Sequence, residues 1–181
     1  MYVNNGTSVV YALDATTGNE VWSFDPRTDR SFSRYAFDLP TNRGVAVYKG
    51  RVYIATFDGR LIAIDAQNGK QIWDIDTWDP RGGGRFNITG APRAAKDKIF
   101  IGQGSGESGK RRGYVTAYNA KTGEIDWRFF LVPGNPNEPF EHPEMEMAAK
   151  TWGGEWWKLG GGGTAWNTLV YDEELNSLYI G

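Results

Sequence analysis

The sequence predicts an all-β protein assembled from repeated antiparallel units, and three observations carry that expectation. Glycine accounts for 24 of 181 residues, against a usual share of about 7%, and stands beside eight tryptophans. That mixture favours many tight turns between aromatic-rich strands over a helical bundle. The third observation is internal repetition: Ala12 to Trp22, Ala63 to Trp73 and Ala117 to Trp127 share the pattern A-x-[DN]-A-x-x-G-x-x-x-W. Its tryptophans recur after 51 and then 54 positions, a period that suits one four-stranded propeller blade better than a helical-pair repeat.

Each element of the unit has a physical reason. Alternating apolar positions such as Val10 and Ala12, or Leu61 and Ala63, read as a strand. The Asp or Asn that follows (Asp14, Asp65, Asn119) accepts backbone N–H bonds and starts a turn. Gly18, Gly69 and Gly123 supply the positive φ that ends the loop. The chain then returns as a second strand, Glu20 to Phe24, Gln71 to Ile75 and Glu124 to Phe129, and each repeat tryptophan is expected to pack between blades. A further short strand precedes each hairpin at Met1 to Val3, Arg51 to Ala55 and Lys98 to Gly102, with Ser177 to Gly181 as its counterpart near the C-terminus. Helix is expected only around Glu144 to Lys150.

Because Met1-Tyr2-Val3 aligns with Val52-Tyr53-Ile54, and Leu178-Tyr179-Ile180-Gly181 with Ile99-Phe100-Ile101-Gly102, both ends fall inside blade strands. The expectation is a single domain, residues 1–181, that is an incomplete propeller segment of about three to four blades, truncated at both ends.

Composition excludes several function classes. A net charge of −2 offers no field to gather phosphates, so nucleic acid is not an expected partner; the single basic run is Lys110, Arg111 and Arg112. No stretch of 18 apolar residues predicts a membrane span, and the N-terminus lacks the order of a signal peptide. The absence of cysteine removes disulfides, thiolate nucleophiles and Cys-ligated zinc, and one histidine, His142, makes a Ser-His-acid triad or a His-rich metal site a poor fit. The acids Glu138, Glu141, Glu144 and Glu146 follow no paired-carboxylate motif and are expected in an exposed loop.

The repeat resembles the tryptophan-docking motif of the pyrroloquinoline quinone (PQQ) dehydrogenases, and the segments between repeats are similar to the methanol/ethanol dehydrogenase branch along essentially the whole chain. Five motifs carry this: Asn42-Arg43-Gly44-Val45-Ala46, Ile88-Thr89-Gly90-Ala91-Pro92, Gly104-Ser105-Gly106-Glu107, Lys150-Thr151-Trp152 leading to Trp156-Trp157-Lys158, and Gly160 to Gly163 with Thr164-Ala165-Trp166. The resemblance implies an eight-bladed propeller that holds PQQ above a calcium or lanthanide ion and oxidises a small alcohol to an aldehyde by hydride transfer to the quinone. It further implies a periplasmic location and cytochrome c, or a similar protein, as electron acceptor.

Residue by residue, the resemblance assigns Arg43, Thr89, Gly104, Ser105, Gly106, Thr164 and Trp166 to the cofactor and Glu107 to the metal. Arg43 would polarise the quinone and stabilise charge after hydride arrives. Trp166 would be the aromatic floor beneath the ring. Glu107 would give a hard cation an oxygen ligand. Two departures matter. Adjacent cysteines that roof the quinone in some relatives are replaced by Phe37-Asp38. The catalytic base and an Asn metal ligand are expected beyond Gly181, so the 181-residue chain alone is expected to be inactive. The alternative is a non-catalytic PQQ-like propeller acting as a scaffold or binding module, which would need the docking repeats but not Arg43, Glu107 and Trp166 together.

Overall fold

The computed structural model of the chain describes residues 1–31, 40–104, 106 and 110–181. Among the described residues, thirteen strands form four antiparallel sheets in sequence order. The first holds β1 (Tyr2–Asn4), β2 (Val10–Leu13) and β3 (Glu20–Phe24). The second holds β4 (Ala46–Tyr48), β5 (Arg51–Ala55), β6 (Arg60–Asp65) and β7 (Gln71–Asp76). The third repeats this with β8 (Arg93–Ala95), β9 (Lys98–Gly102), β10 (Tyr114–Asn119) and β11 (Ile125–Phe130). The fourth pairs β12 (Leu169–Asp172) with β13 (Ser177–Ile180). These are the four-stranded blades, and partial blades, of a β-propeller.

The repeat is structural to the residue. Tyr2 pairs with Ala12, Tyr53 with Ala63 and Phe100 with Ala117. Ala12, Ala63 and Ala117 in turn pair with Trp22, Trp73 and Trp127, each pairing followed by the same shift of register. The turns have the expected chemistry: Oδ1 of Asp14, Asp65 and Asn119 each accepts two backbone N–H bonds at 2.8–3.1 Å. Gly18, Gly69 and Gly123 close them at φ of 75°, 72° and 79°.

Strand periodicity builds the core between sheets. In β5 and β6, Val52, Ile54, Ile62 and Ile64 join Val10 in a cluster toward the first sheet, with Tyr2 and Trp22 packed against it. The alternate residues, Tyr53, Ala55, Leu61 and Ala63, meet Ile88, Ile99, Ile101 and Tyr118 toward the third. Burial of each large aliphatic side chain contributes about 1.5–3 kcal/mol, so the central strands fix the blade spacing. The third and fourth sheets close over Phe100, Val115, Ala117, Ala165 and Leu169.

Two short helices, α1 (Pro143–Ala149) and α2 (Trp156–Leu159), lie between β11 and β12. The first falls where helix was expected; the second was not foreseen. Glu138, Glu144 and Glu146 are exposed as expected, whereas Glu141 is half-buried and held by Arg112 at 2.6 and 2.9 Å. No helix among the described residues is long and apolar enough to cross a membrane.

Candidate cofactor site

Strand direction places the site. β4, β8 and β12 are the strands through which neighbouring sheets touch, so they lie on the axial side. Arg43, Gly90 and Trp166 each stand three residues before one of them. Because β9 runs antiparallel to β8, the loop after Gly102 returns to this same end. Residues far apart in sequence are thereby delivered to the same end of neighbouring sheets.

The contacts confirm the convergence. The Arg43 guanidinium lies over the Trp166 ring at 5.1 Å from its centroid, and the Arg43 backbone N–H donates to Thr89 O at 2.9 Å. Gly106 N–H donates to Thr164 Oγ1 at 3.2 Å, and Gly104 N–H to Asn87 O at 3.0 Å. Among the described residues Arg43 forms no ion pair, and Trp166 keeps 42% of its surface exposed. The pair is a cation–π contact on a partly exposed indole, worth about 0.5–1 kcal/mol at such a site.

Glycines allow the backbones to approach this closely. A Cβ on Gly102 would lie 2.2 Å from Ala165 O, one on Gly90 2.9 Å from Trp166 O, and one on Gly106 2.5 Å from Thr164 Oγ1. Gly160 to Gly163 are all left-handed, with φ from 64° to 84°. Within this tract Gly162 N–H donates to Arg111 O and Gly113 N–H to Gly162 O, both at 2.8 Å, forming a parallel bridge. The bridge ties the end of the 104–113 loop to the residues that precede Thr164.

Of the sequence-derived site residues, Arg43 contacts both Thr89 and Trp166, Gly106 contacts Thr164, and Gly104 is bonded to Asn87, two residues before Thr89. Ser105 and Glu107, and the Phe37-Asp38 pair, lie outside the described residues. Among the described residues no group of three or more acids or histidines is placed to hold a metal ion. Within the basic run, Arg112 is engaged by Glu141 and stacks on Phe130 at 4.1 Å, and Arg111 stacks on Phe86 at 4.9 Å. Sequence reasoning missed the buried amide residues around the site, Asn87 beneath Gly104 and Gln103 bonded to Tyr114 N–H. Their one signal is an amide side chain beside apolar strand residues.

The comparisons agree with this architecture. The profile of the family described as "PQQ: Glucose/ethanol/alcohol dehydrogenase, beta-propeller domain" matches residues 1–181. The chain is 50% identical over its whole length to quinohemoprotein alcohol dehydrogenase of Comamonas testosteroni, and superposes on that enzyme's crystal structure with a TM-score of 0.95. It is 52% identical to quinohemoprotein alcohol dehydrogenase ADH-IIG of Pseudomonas putida, with a TM-score of 0.93 over 100% of this chain and 26% of that one. A europium-containing methanol dehydrogenase matches all of this chain and 33% of its own at 34% identity and a TM-score of 0.84. The chain spans about 26% of the length of the Comamonas relative. On its repeat, its blades and a match along every residue, the chain belongs to the PQQ-dependent alcohol dehydrogenase β-propeller family.

Proposed function

We propose that this chain forms part of the quinone cavity of a PQQ-dependent dehydrogenase that oxidises a small alcohol to an aldehyde. The observation that carries the reading is the stacking of the Arg43 guanidinium on a partly exposed Trp166, with the Arg43 N–H bonded to Thr89 O and Thr164, two residues before Trp166, bonded to Gly106 N–H. A planar, polar-edged ring fits such a place. The indole face offers stacking without consuming hydrogen bonds, and the Thr164 hydroxyl, which accepts Gly106 N–H, keeps its own O–H to donate at the edge. When bound, PQQ supplies the acceptor for hydride from the alcohol carbon. The planar Arg43 guanidinium would hold the quinone oxygens and stabilise negative charge that develops there.

In this reading Ser105 joins the cofactor contacts, and Glu107 gives a calcium or lanthanide ion one oxygen ligand. The reading assigns none of the described residues as the base that takes the hydroxyl proton. A periplasmic location and a cytochrome-type electron acceptor complete the proposal, the latter supported by the quinohemoprotein names of the relatives.

The test is reconstitution of the full-length gene product with PQQ and calcium or europium, followed by dye-linked alcohol oxidation and quinone titration. Cation-dependent oxidation is expected, with quinone affinity reduced in Trp166→Ala and Arg43→Ala. Failure of the wild-type protein to bind PQQ under either cation would overturn the reading.

A further inference from the structure

We propose that Ser8 and Asn42 are positioning residues that set Arg43 over the quinone site, so that a turn on the first sheet controls a cofactor contact contributed by the second. The inference rests on the reading of Arg43 as a cofactor residue.

Arg43 sits in a connecting segment, outside any strand, and such a segment holds a direction only where its backbone is pinned. On one side its N–H is bonded to Thr89 O. On the other side the Asn42 side chain uses all of its usual groups: Nδ2 donates to Ser8 Oγ at 3.0 Å and to Ala55 O at 2.7 Å, while Oδ1 accepts Gly44 N–H at 3.1 Å. Asn42 thus clamps both neighbours of Arg43 to the end of β5 and to the first sheet.

The Ser8 end of the clamp is itself rigid. Asn5 Oδ1 accepts the N–H groups of Thr7 and Val9 and the Thr7 hydroxyl, and Ser8 N–H donates to Asn5 O at 3.0 Å. Ser8 is fully buried and held at φ 69°, a left-handed conformation that L residues rarely adopt. In that pose its Oγ accepts from both Asn42 and Phe57 N–H. The turn also presses on the segment before Arg43, because a Cβ on Gly6 would lie 2.2 Å from Pro40 O. A strained, buried hydroxyl aimed at the residue preceding a site arginine is the arrangement by which outer residues orient inner ones.

A double-mutant cycle in the full-length gene product tests this, read by PQQ affinity from quenching of tryptophan fluorescence with calcium present, beside the melting temperature of the quinone-free protein. Asn42→Asp retains the acceptor for Gly44 but loses both donors. It is expected to weaken PQQ binding about tenfold when Arg43 is present, and by less than about twofold in an Arg43→Ala background. A purely structural role predicts a lower melting temperature and the same loss of affinity in both backgrounds, which would sink the inference. If Arg43→Ala weakens PQQ binding while Asn42→Asp does not, the inference alone falls. If Arg43→Ala leaves affinity unchanged, the cofactor reading of Arg43 falls and takes this inference with it. Should Asn42→Asp fail to fold, Ser8→Gly enters the same cycle, since glycine adopts φ 69° readily and the hydroxymethyl group that accepts from Asn42 is lost without added backbone strain.

Discussion

Trp22 on the first sheet is seated on Gly69 of the second: a Cβ at Gly69 would lie 2.8 Å from Trp22 Cδ2, and the indole N–H reaches past it to donate to Ala66 O at 3.1 Å. The next pair repeats the contact, Trp73 against Gly123 at 3.1 Å. The glycine that closes one hairpin is therefore also the floor for the tryptophan of the hairpin before it, which explains why a single pattern encodes both the blade and its docking.

Gly69 and Gly18 separate these two roles. Both are left-handed, at φ 72° and 75°, but nothing lies within 4 Å of a Cβ at Gly18. Gly18→Ala is expected to cost about 1 kcal/mol through backbone strain alone. Gly69→Ala adds overpacking against the indole, about 1–3 kcal/mol more. Chemical denaturation of the full-length protein gives the comparison; equal costs would show that Trp22 does not use Gly69 as its seat.

The indole N–H groups differ between repeats. Trp22 has Ala66 O, whereas Trp73 Nε1 is buried without a partner. The equivalent acceptor, Ala120 O, is taken by Tyr53 Oη at 3.0 Å and Arg51 Nη1 at 2.8 Å. Trp73→Phe should therefore be less damaging than Trp22→Phe by about 1 kcal/mol or more, since it removes an unsatisfied donor rather than a bond. Unfolding midpoints of the two variants decide it.

These contacts also show what could be read before folding. The hairpins and turn glycines were legible because each local choice is repeated three times and obeys strand periodicity. The axial strands were not: Ala46–Tyr48 and Arg93–Ala95 are three residues long, too short to show alternation, and exist because neighbouring strands pair with them. They are nevertheless the elements that bring Arg43 and Gly90 together. The candidate site residues are named by motif resemblance, whereas the Ser8 support carries no such signal. A serine in a polar turn carries no local mark of being fully buried or left-handed.

Asp79 gives a pH dependence. Its side chain is buried beside Arg128, which it meets at 2.6 Å, and Arg81 at 2.8 Å. Burial pushes the carboxyl up, but hydrogen bonds from Arg81 and Arg128 outweigh it and hold the group well below the usual carboxylate range. A depressed folded-state pKa contributes stability that is full above the unfolded value of about 3.9 and is lost as pH falls through the folded value. Asp79→Asn leaves Arg128 buried without its counter-charge, a loss of about 3–5 kcal/mol. The difference between wild type and variant should be flat above about pH 4.5 and narrow only in stronger acid. A difference that shrinks between pH 7 and 5 would assign the stability to another group.

The tetraglycine tract provides the sharpest coupling between fold and site. Gly161 and Gly163 flank Gly162, whose N–H and carbonyl hold Arg111 and Gly113. A Cβ on either would strike Val132, at 2.4 and 2.5 Å, and both residues are left-handed, at φ 80° and 64°. Alanine at Gly161 or Gly163 must therefore displace the tract from Arg111–Gly113, and Thr164 and Trp166 follow directly in the chain. Each substitution is expected to cost about 2–4 kcal/mol from strain and overpacking together. Each should also weaken PQQ binding in the full-length protein, because the floor and the Thr164–Gly106 bond lose their register. Gly153→Ala is the control: nothing lies within 4 Å of its Cβ, and its effect should stay within about 0.5 kcal/mol with quinone affinity unchanged. Thermal melting and fluorescence titration measured on all three variants separate the outcomes. Stable Gly161→Ala and Gly163→Ala proteins with wild-type quinone affinity would show that the left-handed tract does not hold the candidate site in place.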